Sequence, residues 1–97
     1  MKVWEIELPK IPLELNNVDD VAEEILKEEK LEEVIIENVI IENLEESSIK
    51  LDSCIFKNVI FINCNFNRID MTDVKFEKCD LSNCEFFDGV FYRVEFE

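Results

Sequence analysis

The sequence predicts a mainly β protein that winds into stacked coils around a dry interior. Two observations predict this fold. From Val34 onward the chain divides into blocks of five residues, and the first and third places of these blocks are apolar at 24 of 26 positions. A random placement of the same residues would give about 12. In addition, all four cysteines stand at first places, and seven of the eight phenylalanines stand at third places.

The five-residue spacing has a simple physical meaning. The first and third residues of a block are two apart, so in extended backbone they point to the same side. The next inward pair follows only after two further residues, which are mostly polar, and the chain must turn a corner there. A path that turns in every block forms a coil, and stacked coils pair their backbones about 4.8 Å apart. Neither a helical period nor a plain strand period sorts residues in this way.

Length and charge narrow the class of protein. A chain of 97 residues forms one small domain. Its 24 acidic and 10 basic residues leave a net charge of −14, which opposes direct binding to nucleic acid or to an anionic membrane. The same charge favours solubility and a basic partner.

The start of the chain does not have the pattern of a secretory signal, because Glu5 and Glu7 interrupt the apolar stretch. Apolar runs are about four residues at most, too short to span a bilayer. We therefore expect a cytoplasmic protein with reduced cysteines.

Several blocks share a composition. Residues 79–83 (CDLSN) and 64–68 (CNFNR) have a small residue, Asp or Asn, and Leu or Phe in order, and residues 69–73 (IDMTD) and 84–88 (CEFFD) follow the order more loosely. With these blocks, residues 34–97 resemble the pentapeptide-repeat family. The resemblance implies a right-handed quadrilateral parallel β-helix with four blocks, or twenty residues, per coil.

On that geometry, residues twenty apart are expected to stack. The expected stacks are Phe56 with Phe76 and Phe96, Phe66 beneath Phe86, and Asn43 with Asn63 and Asn83 on one corner.

The four cysteines are interpreted as small buried side chains. Cys64 and Cys84 would be stacked neighbours, so a disulfide between them is conceivable by distance. A metal site is not expected, because zinc ligands converge within about 2.3 Å of one ion and cysteines in an inward row do not. The chain also has no histidine. No cofactor is expected.

Two blocks depart from the pattern. Glu46 occupies a third place, and burying a lone carboxylate is costly. We expect its side chain to turn to solvent, with a distorted first coil or a loop there and a regular β-helix from about Ile49. Gly89 occupies a first place, where it leaves a hole beside Phe91 or makes room for that larger ring.

Residues 1–33 lack the repeat and are predicted to form a strand–turn–helix segment packed on the solenoid, which occupies residues 34–97. A helix is predicted from about Val18 to Lys30, with Asn17 as its N-cap. Before it, two short stretches alternate as strands do: Trp4, Ile6 and Leu8, then Ile11, Leu13 and Leu15.

Isoleucines occupy four second places that are normally polar. They would stack in two pairs on adjoining outer faces, Ile35 with Ile55 and Ile40 with Ile60. Either residues 1–30 fold over these isoleucines or over the adjacent open end, or the isoleucines bind a partner. Ile55 and Ile60 are therefore candidate partner-binding residues.

Two aromatic residues near the other end point outward. Phe87 and Tyr92 are predicted on adjacent faces and are further candidate partner-binding residues. The repeat continues to Phe96 without a closing element. We expect either that the chain is a fragment or that a partner covers this end, and a homodimer through it is one such arrangement.

Catalysis is not expected. Histidine is absent and Gly89 is the only glycine, which excludes histidine bases and glycine-rich phosphate loops. Carboxylates on a convex face have no pocket. The expected function is a non-catalytic protein-interaction scaffold.

The alternative, implied by the resemblance, is an acidic DNA mimic that binds DNA gyrase or topoisomerase IV and affects quinolone susceptibility. Residues 34–97 carry 13 acids and 6 bases, a net charge of −7. Over about 3.2 coils this is about one net charge per 2 Å, against one per about 1.7 Å for duplex DNA. Basic residues are interspersed, however, and the outward loops and C-terminal dimerising helix of the quinolone-resistance members are not visible.

Overall fold

The computed structural model describes residues 9–11, 16–17 and 30–97. These residues form short parallel strands that stack as a β-helix. The strands are β1 (Asn16–Asn17), β2 (Lys30–Glu32), β3 (Val34–Glu37), β4 (Ile40–Glu42), β5 (Glu45–Ser47), β6 (Lys50–Lys57), β7 (Ile60–Ile62), β8 (Cys64–Asn67), β9 (Asp70–Glu77), β10 (Cys84–Phe87) and β11 (Val90–Phe96).

Strand pairing gives the size of a coil. Three sheets form, in the orders β1-β3-β6-β9-β11 with β2 also on β6, β10-β8-β5, and β4-β7. Paired residues within the repeat are twenty apart, as in Cys64 with Cys84 and Lys50 with Asp70. A coil therefore contains four blocks, and the expected parallel β-helix is confirmed.

Each coil has four faces, which we number in chain order. The first face holds residues 30–33 and blocks 49–53, 69–73 and 89–93. The second holds 34–38, 54–58, 74–78 and 94–97, the third 39–43, 59–63 and 79–83, and the fourth 44–48, 64–68 and 84–88. The long strands β6, β9 and β11 run from the first face onto the second without a break.

The interior consists of first-place and third-place side chains, as the period predicts. Ile36, Met71 and Val74 are fully buried. The expected phenylalanine stacks are confirmed, with ring centroids 4.9 Å apart for Phe56 and Phe76, 5.0 Å for Phe76 and Phe96, and 5.6 Å for Phe66 and Phe86. An interior void of only about 10 Å³, lined by apolar side chains, leaves no room for a ligand.

The corners are made by fifth-place residues in the left-handed region. Twelve of the thirteen fifth places from Glu33 to Arg93 have φ between 53° and 61°. Asparagine tolerates this conformation better than most residues. Two corner contacts form between asparagines: Asn63 donates to Asn43 Oδ1 over 2.9 Å, as expected, and Asn58 donates to Asn38 Oδ1 over 2.8 Å, which was not predicted.

Block 79–83, the closest match to the repeat pattern, turns in a different way. The Cys84 N–H donates to the Leu81 carbonyl over 3.1 Å. The Asp80 carboxylate accepts two hydrogen bonds from Ser82, one from the backbone N–H at 3.0 Å and one from the side-chain hydroxyl at 2.6 Å. These hydrogen bonds close a four-residue β-turn, so Asn83 is the one fifth-place residue without a positive φ.

The prediction of a distorted backbone or a loop around Glu46 is wrong. Strand β5 pairs in register with β8, and Glu46 lies opposite Phe66. Only the side chain departs from the pattern: it is half-buried and lies along an outer groove rather than the interior void. The regular coil therefore begins well before Ile49.

The coil also begins before Val34. Strand β2 precedes it, and Leu31 is buried and pairs with Leu51. Lys30 is the first residue of this strand and not the last of a helix. The rest of the predicted helix, residues 18–29, lies outside the described residues, as do Trp4, Ile6, Leu8, Leu13 and Leu15.

Two contacts place parts of the N-terminal segment on the solenoid. Asn16 and Asn17 extend the second face by pairing with Val34 and Ile35. The Lys10 N–H donates to Asp73 Oδ1 over 3.0 Å. The N-terminal segment therefore contacts both the first coil and a later one.

Within the described part of the chain, no helix is long and apolar enough to cross a bilayer.

Candidate functional site

A groove along the fourth face carries a concentration of negative charge. Strands β5, β8 and β10 stack there, and their outer side chains form what we call the acidic groove. It is lined by Glu45, Glu46, Ser47, Asn65, Asn67, Glu85, Phe87 and Asp88. Four of these eight residues are carboxylates, and none is a lysine or arginine.

The repeat explains most of the acidic groove. Second-place and fourth-place side chains point outward, which positions Glu45 and Ser47 on the first rung and Glu85 and Phe87 on the last. Glu46 is the exception, because its third place would direct it inward. Its half-exposed side chain joins the groove because a carboxylate in the apolar interior would lose its hydration.

Phe87 is an aromatic residue of the acidic groove, and its side chain is 53% exposed. Tyr92, the other outward aromatic residue, is 47% exposed and lies on the first face. The Arg93 guanidinium lies 4.3 Å from the centre of the Tyr92 ring. The structure thus places these two candidates on adjacent faces, as expected, but on separate surfaces.

A second outer surface is apolar. Ile40, Ile60 and Ile62 on the third face are 60%, 41% and 37% exposed, and we call them the apolar patch. Ile40 pairs with Ile60 as predicted. Ile55 pairs with Ile35 on the second face, also as predicted, but both are half-buried and lie outside the patch. Sequence analysis missed Ile62, whose fourth place also points outward.

A buried ion pair lies at the corner between the first and second faces. Asp73, only 7% exposed, accepts hydrogen bonds from Arg93 Nε at 2.6 Å and Nη2 at 2.9 Å. Burial by itself raises the pKa of the Asp73 carboxyl. The Arg93 hydrogen bonds, the Lys10 amide and the positive charge of Arg93 outweigh this effect and hold that pKa below its usual value. Sequence analysis missed this pair, although the two residues are twenty apart.

The cysteines lie at inward places and are free thiols. Three of them donate to a carbonyl one coil below: Cys54 to Leu31 at 3.4 Å, Cys64 to Ile41 at 3.4 Å, and Cys79 to Phe56 at 3.2 Å.

Burial raises the pKa of the Cys54 thiol to about 11 and that of the Cys84 thiol to about 12. Both thiols are therefore protonated at neutral pH and are weak nucleophiles. Among the described residues, no three cysteine, aspartate or glutamate side chains come together as a metal site would require. This chemistry agrees with a role of the cysteines in packing.

Comparison with protein families identifies the repeat. The family model for pentapeptide repeats matches residues 50–86, with eight copies of the repeat. A search of curated proteins finds no match. The matched residues cover β6, β7, β8 and β9 completely and most of β10. The family match, the five-residue period and the twenty-residue coil agree, and residues 50–86 are pentapeptide repeats.

Proposed function

We propose that this protein is a non-catalytic scaffold that binds a basic protein segment along the acidic groove. The observation that carries the proposal is the lining of the groove, which combines four carboxylates with an exposed phenylalanine and contains no basic side chain. The match of residues 50–86 to a repeat family supports the scaffold role. Solenoids present extended surfaces of this kind to their partners.

The spacing of the carboxylates favours an extended ligand. Glu45 and Glu85 lie on either side of the middle rung, which contains Asn65. At the strand spacing, the two glutamates are therefore about 10 Å apart along the solenoid axis. On a peptide in the extended polyproline II conformation, lysines or arginines three residues apart point to the same side and are about 9 Å apart. Such a peptide would pair one cation with each end of the groove.

Phe87 would supply the apolar part of the contact. Phenylalanine, like the other aromatic residues, is enriched at protein interfaces. A guanidinium can also stack on a phenylalanine ring. The preferred ligand is therefore an arginine-containing segment rather than a purely lysine-rich one.

This proposal is tested by measuring the binding of a labelled peptide in which single arginines alternate with pairs of serines. Fluorescence anisotropy at low salt should detect binding, and the affinity should fall as salt is raised. The double variant Glu45→Gln with Glu85→Gln should weaken binding at least tenfold. The matched control, Glu37→Gln with Glu97→Gln on the second face, removes the same charge and should change the affinity less than twofold. Equal losses in both variants would show nonspecific attraction and contradict the proposal.

A second candidate function is mimicry of DNA toward a type II topoisomerase. The net charge of −7 over residues 34–97 supports it. The second face counts against mimicry of DNA. Lys75 Nζ lies 3.6 Å from Glu95 Oε1 and 3.2 Å from Glu97 Oε2, and the lysine offsets part of the negative charge of these glutamates. For this reason we rank mimicry below the scaffold.

A gyrase supercoiling assay distinguishes the two functions. A DNA mimic would inhibit supercoiling in proportion to its concentration or would protect the enzyme from a quinolone. The scaffold proposal expects neither effect at concentrations that saturate the arginine peptide.

A further inference from the structure

A corner groove joins the acidic groove to the apolar patch. It lies where the third face turns onto the fourth, has a volume of about 340 Å³, and is lined by Ile62, Asn63, Asn65, Ser82, Asn83 and Glu85. Ile62 belongs to the apolar patch, whereas Asn65 and Glu85 also line the acidic groove. A chain bound in the acidic groove can therefore continue across this corner onto the patch without leaving the protein surface.

The apolar patch is one continuous surface. Ile40 and Ile60 pair on successive rungs, and Ile62 follows two residues after Ile60 in β7, so it points to the same side. Asp80 and Ser82 occupy the rung above, which places the patch within the body of the solenoid. Adjacent exposed isoleucines of this kind mark a contact surface more strongly than single ones do.

The charge of the third face determines which kind of chain fits. Its blocks, 39–43, 59–63 and 79–83, contain no lysine or arginine. The carboxylate residues Glu42 and Asp80 lie opposite Ile62 and Ile60 in the strand pairing. A second copy of this chain would bring the same carboxylates and a net charge of −14 to the contact. A segment that combines apolar side chains with positive charge matches the patch better.

The described contacts of the N-terminal segment lie on other faces. Asn16 pairs with Val34 on the second face, and the Lys10 N–H donates to Asp73 at the corner between the first and second faces. These contacts leave the isoleucines of the third face exposed.

We propose that the basic segment bound in the acidic groove continues across the corner groove and places an aliphatic side chain on the apolar patch. This inference rests on the proposed function, because the arginines position the segment. Ile62 and Asn65 are three residues apart, which is about 10 Å in a straight strand and less around a corner. Glu85 is one rung, or about 4.8 Å, above Asn65. A ligand residue three positions beyond the arginine at Glu85 covers a similar distance.

Three labelled peptides test this inference. The first is the arginine–serine peptide described above, and the other two add a leucine three residues after the last arginine or three residues before the first. Fluorescence anisotropy should show that one leucine peptide binds at least fivefold more tightly than the arginine–serine peptide. Because salt screens charges but does not weaken apolar burial, this ratio should persist when raised salt weakens the binding of both peptides.

Two substitutions assign the gain from leucine to the patch. Ile62→Ser should reduce the gain to less than twofold and leave the affinity for the arginine–serine peptide unchanged, which also shows that the variant is folded. The matched control, Val90→Ser, removes an apolar side chain that is 62% exposed on the first face, opposite the patch, and should keep the full gain. An equal loss of the gain in both variants would overturn the inference.

The peptides also separate this inference from the proposed function. If leucine adds no affinity while the arginine–serine peptide still binds, the inference fails and the proposed function stands. If the arginine–serine peptide does not bind, both fail.

Two further measurements test the other occupants of the patch. Light scattering should show a monomer, and a dimer that Ile62→Ser dissociates would assign the patch to a second copy of the chain. NMR of the free protein with labelled isoleucine methyl groups should show no nuclear Overhauser effects from Ile60 or Ile62 to residues 1–29. Such effects would assign the patch to the protein's own chain and overturn the inference.

Discussion

Asp73 and Arg93, twenty residues apart, form a two-pronged ion pair between the third and the last coil, with N–O distances of 2.6 and 2.9 Å. The carboxylate also accepts the backbone N–H of Lys10 at 3.0 Å. One buried side chain therefore joins two coils and the N-terminal segment. Asp73 is buried, whereas the polar contacts between coils at Asn38–Asn58 and Asn43–Asn63 are exposed.

We expect Asp73→Asn to destabilise the fold by about 2–4 kcal/mol, because it leaves a partly buried arginine without its counter-ion. Urea unfolding at pH 7 measures the loss. Asp88→Asn, an exposed fifth-place residue on another corner, is the control and should cost less than about 0.5 kcal/mol. Equal effects of the two substitutions would contradict the assigned role of Asp73.

The contribution of the Asp73 pair should depend on pH in one direction. Because the pKa of Asp73 is lower in the folded protein than its ordinary value of 3.8, its contribution is present above that value. It is lost as pH falls through the folded pKa. The stability difference between the native chain and Asp73→Asn should therefore be constant from pH 7 to about pH 5 and shrink below pH 4. A difference that grows on acidification would contradict this sign.

The buried thiols should resist alkylation. With a pKa near 11 for Cys54 and near 12 for Cys84, little thiolate exists at pH 8. Iodoacetamide should label both cysteines more than tenfold slower in the native protein than in urea. Mass spectrometry of labelled peptides measures each position separately. Rapid native labelling of Cys54 would contradict its position in the interior.

The Cys54 thiol should also weaken the fold at high pH. Its folded pKa of about 11 exceeds the ordinary 9.0. Its contribution is therefore full below pH 9 and is lost as pH rises through the folded pKa. Cys54→Val places in the stack a residue like its neighbours Val34 and Val74. We expect this variant to lose less stability than the native chain between pH 9 and pH 11. Parallel unfolding curves at each pH provide the test.

The phenylalanine stack should be most sensitive in its middle. Phe76 is 2% exposed and lies between Phe56 and Phe96, whereas Phe96 is 53% exposed. We expect Phe76→Ala to cost about 3–5 kcal/mol and Phe96→Ala less than half of that, because truncation in the interior leaves a cavity. Denaturant midpoints with unchanged slopes measure both. Similar losses in the two variants would contradict the dependence of the cost on burial.

At Asn58, the contribution of the left-handed backbone conformation to stability can be separated from that of the side-chain hydrogen bond. This residue has φ 54° and donates to Asn38 over 2.8 Å. Asn58→Ala loses the hydrogen bond and strains the corner, so we expect a cost of about 1–2 kcal/mol. Asn58→Gly loses only the hydrogen bond and should cost less than about 1 kcal/mol. If glycine is the worse substitution, the backbone conformation is not the reason for asparagine there.

The five-residue period by itself determined the solenoid and its inward residues, because a buried side chain must face the same interior in every coil. The stacking of Cys64 with Cys84 and of Phe56 with Phe76 needed the number of blocks per coil, which the resemblance to pentapeptide repeats implied and the period did not. The period could not reveal how a corner turns, since residues of many types occupy fifth places. Glu46 shows a second limit of the sequence pattern. A glutamate at a third place predicted a distorted coil, but the backbone hydrogen bonds between β5 and β8 keep the coil regular.

Only the tertiary structure decided what the outer surface offers. Outward side chains obey no packing rule, so their combinations depend on which faces and rungs become neighbours. The acidic groove brings Glu46 together with Glu85 across three rungs. The Asp73 carboxylate meets Lys10, which lies 63 residues away in the chain. The repeat specified the interior because burial from water acts on every block alike, whereas the surface contacts depended on the folded positions of individual charged groups.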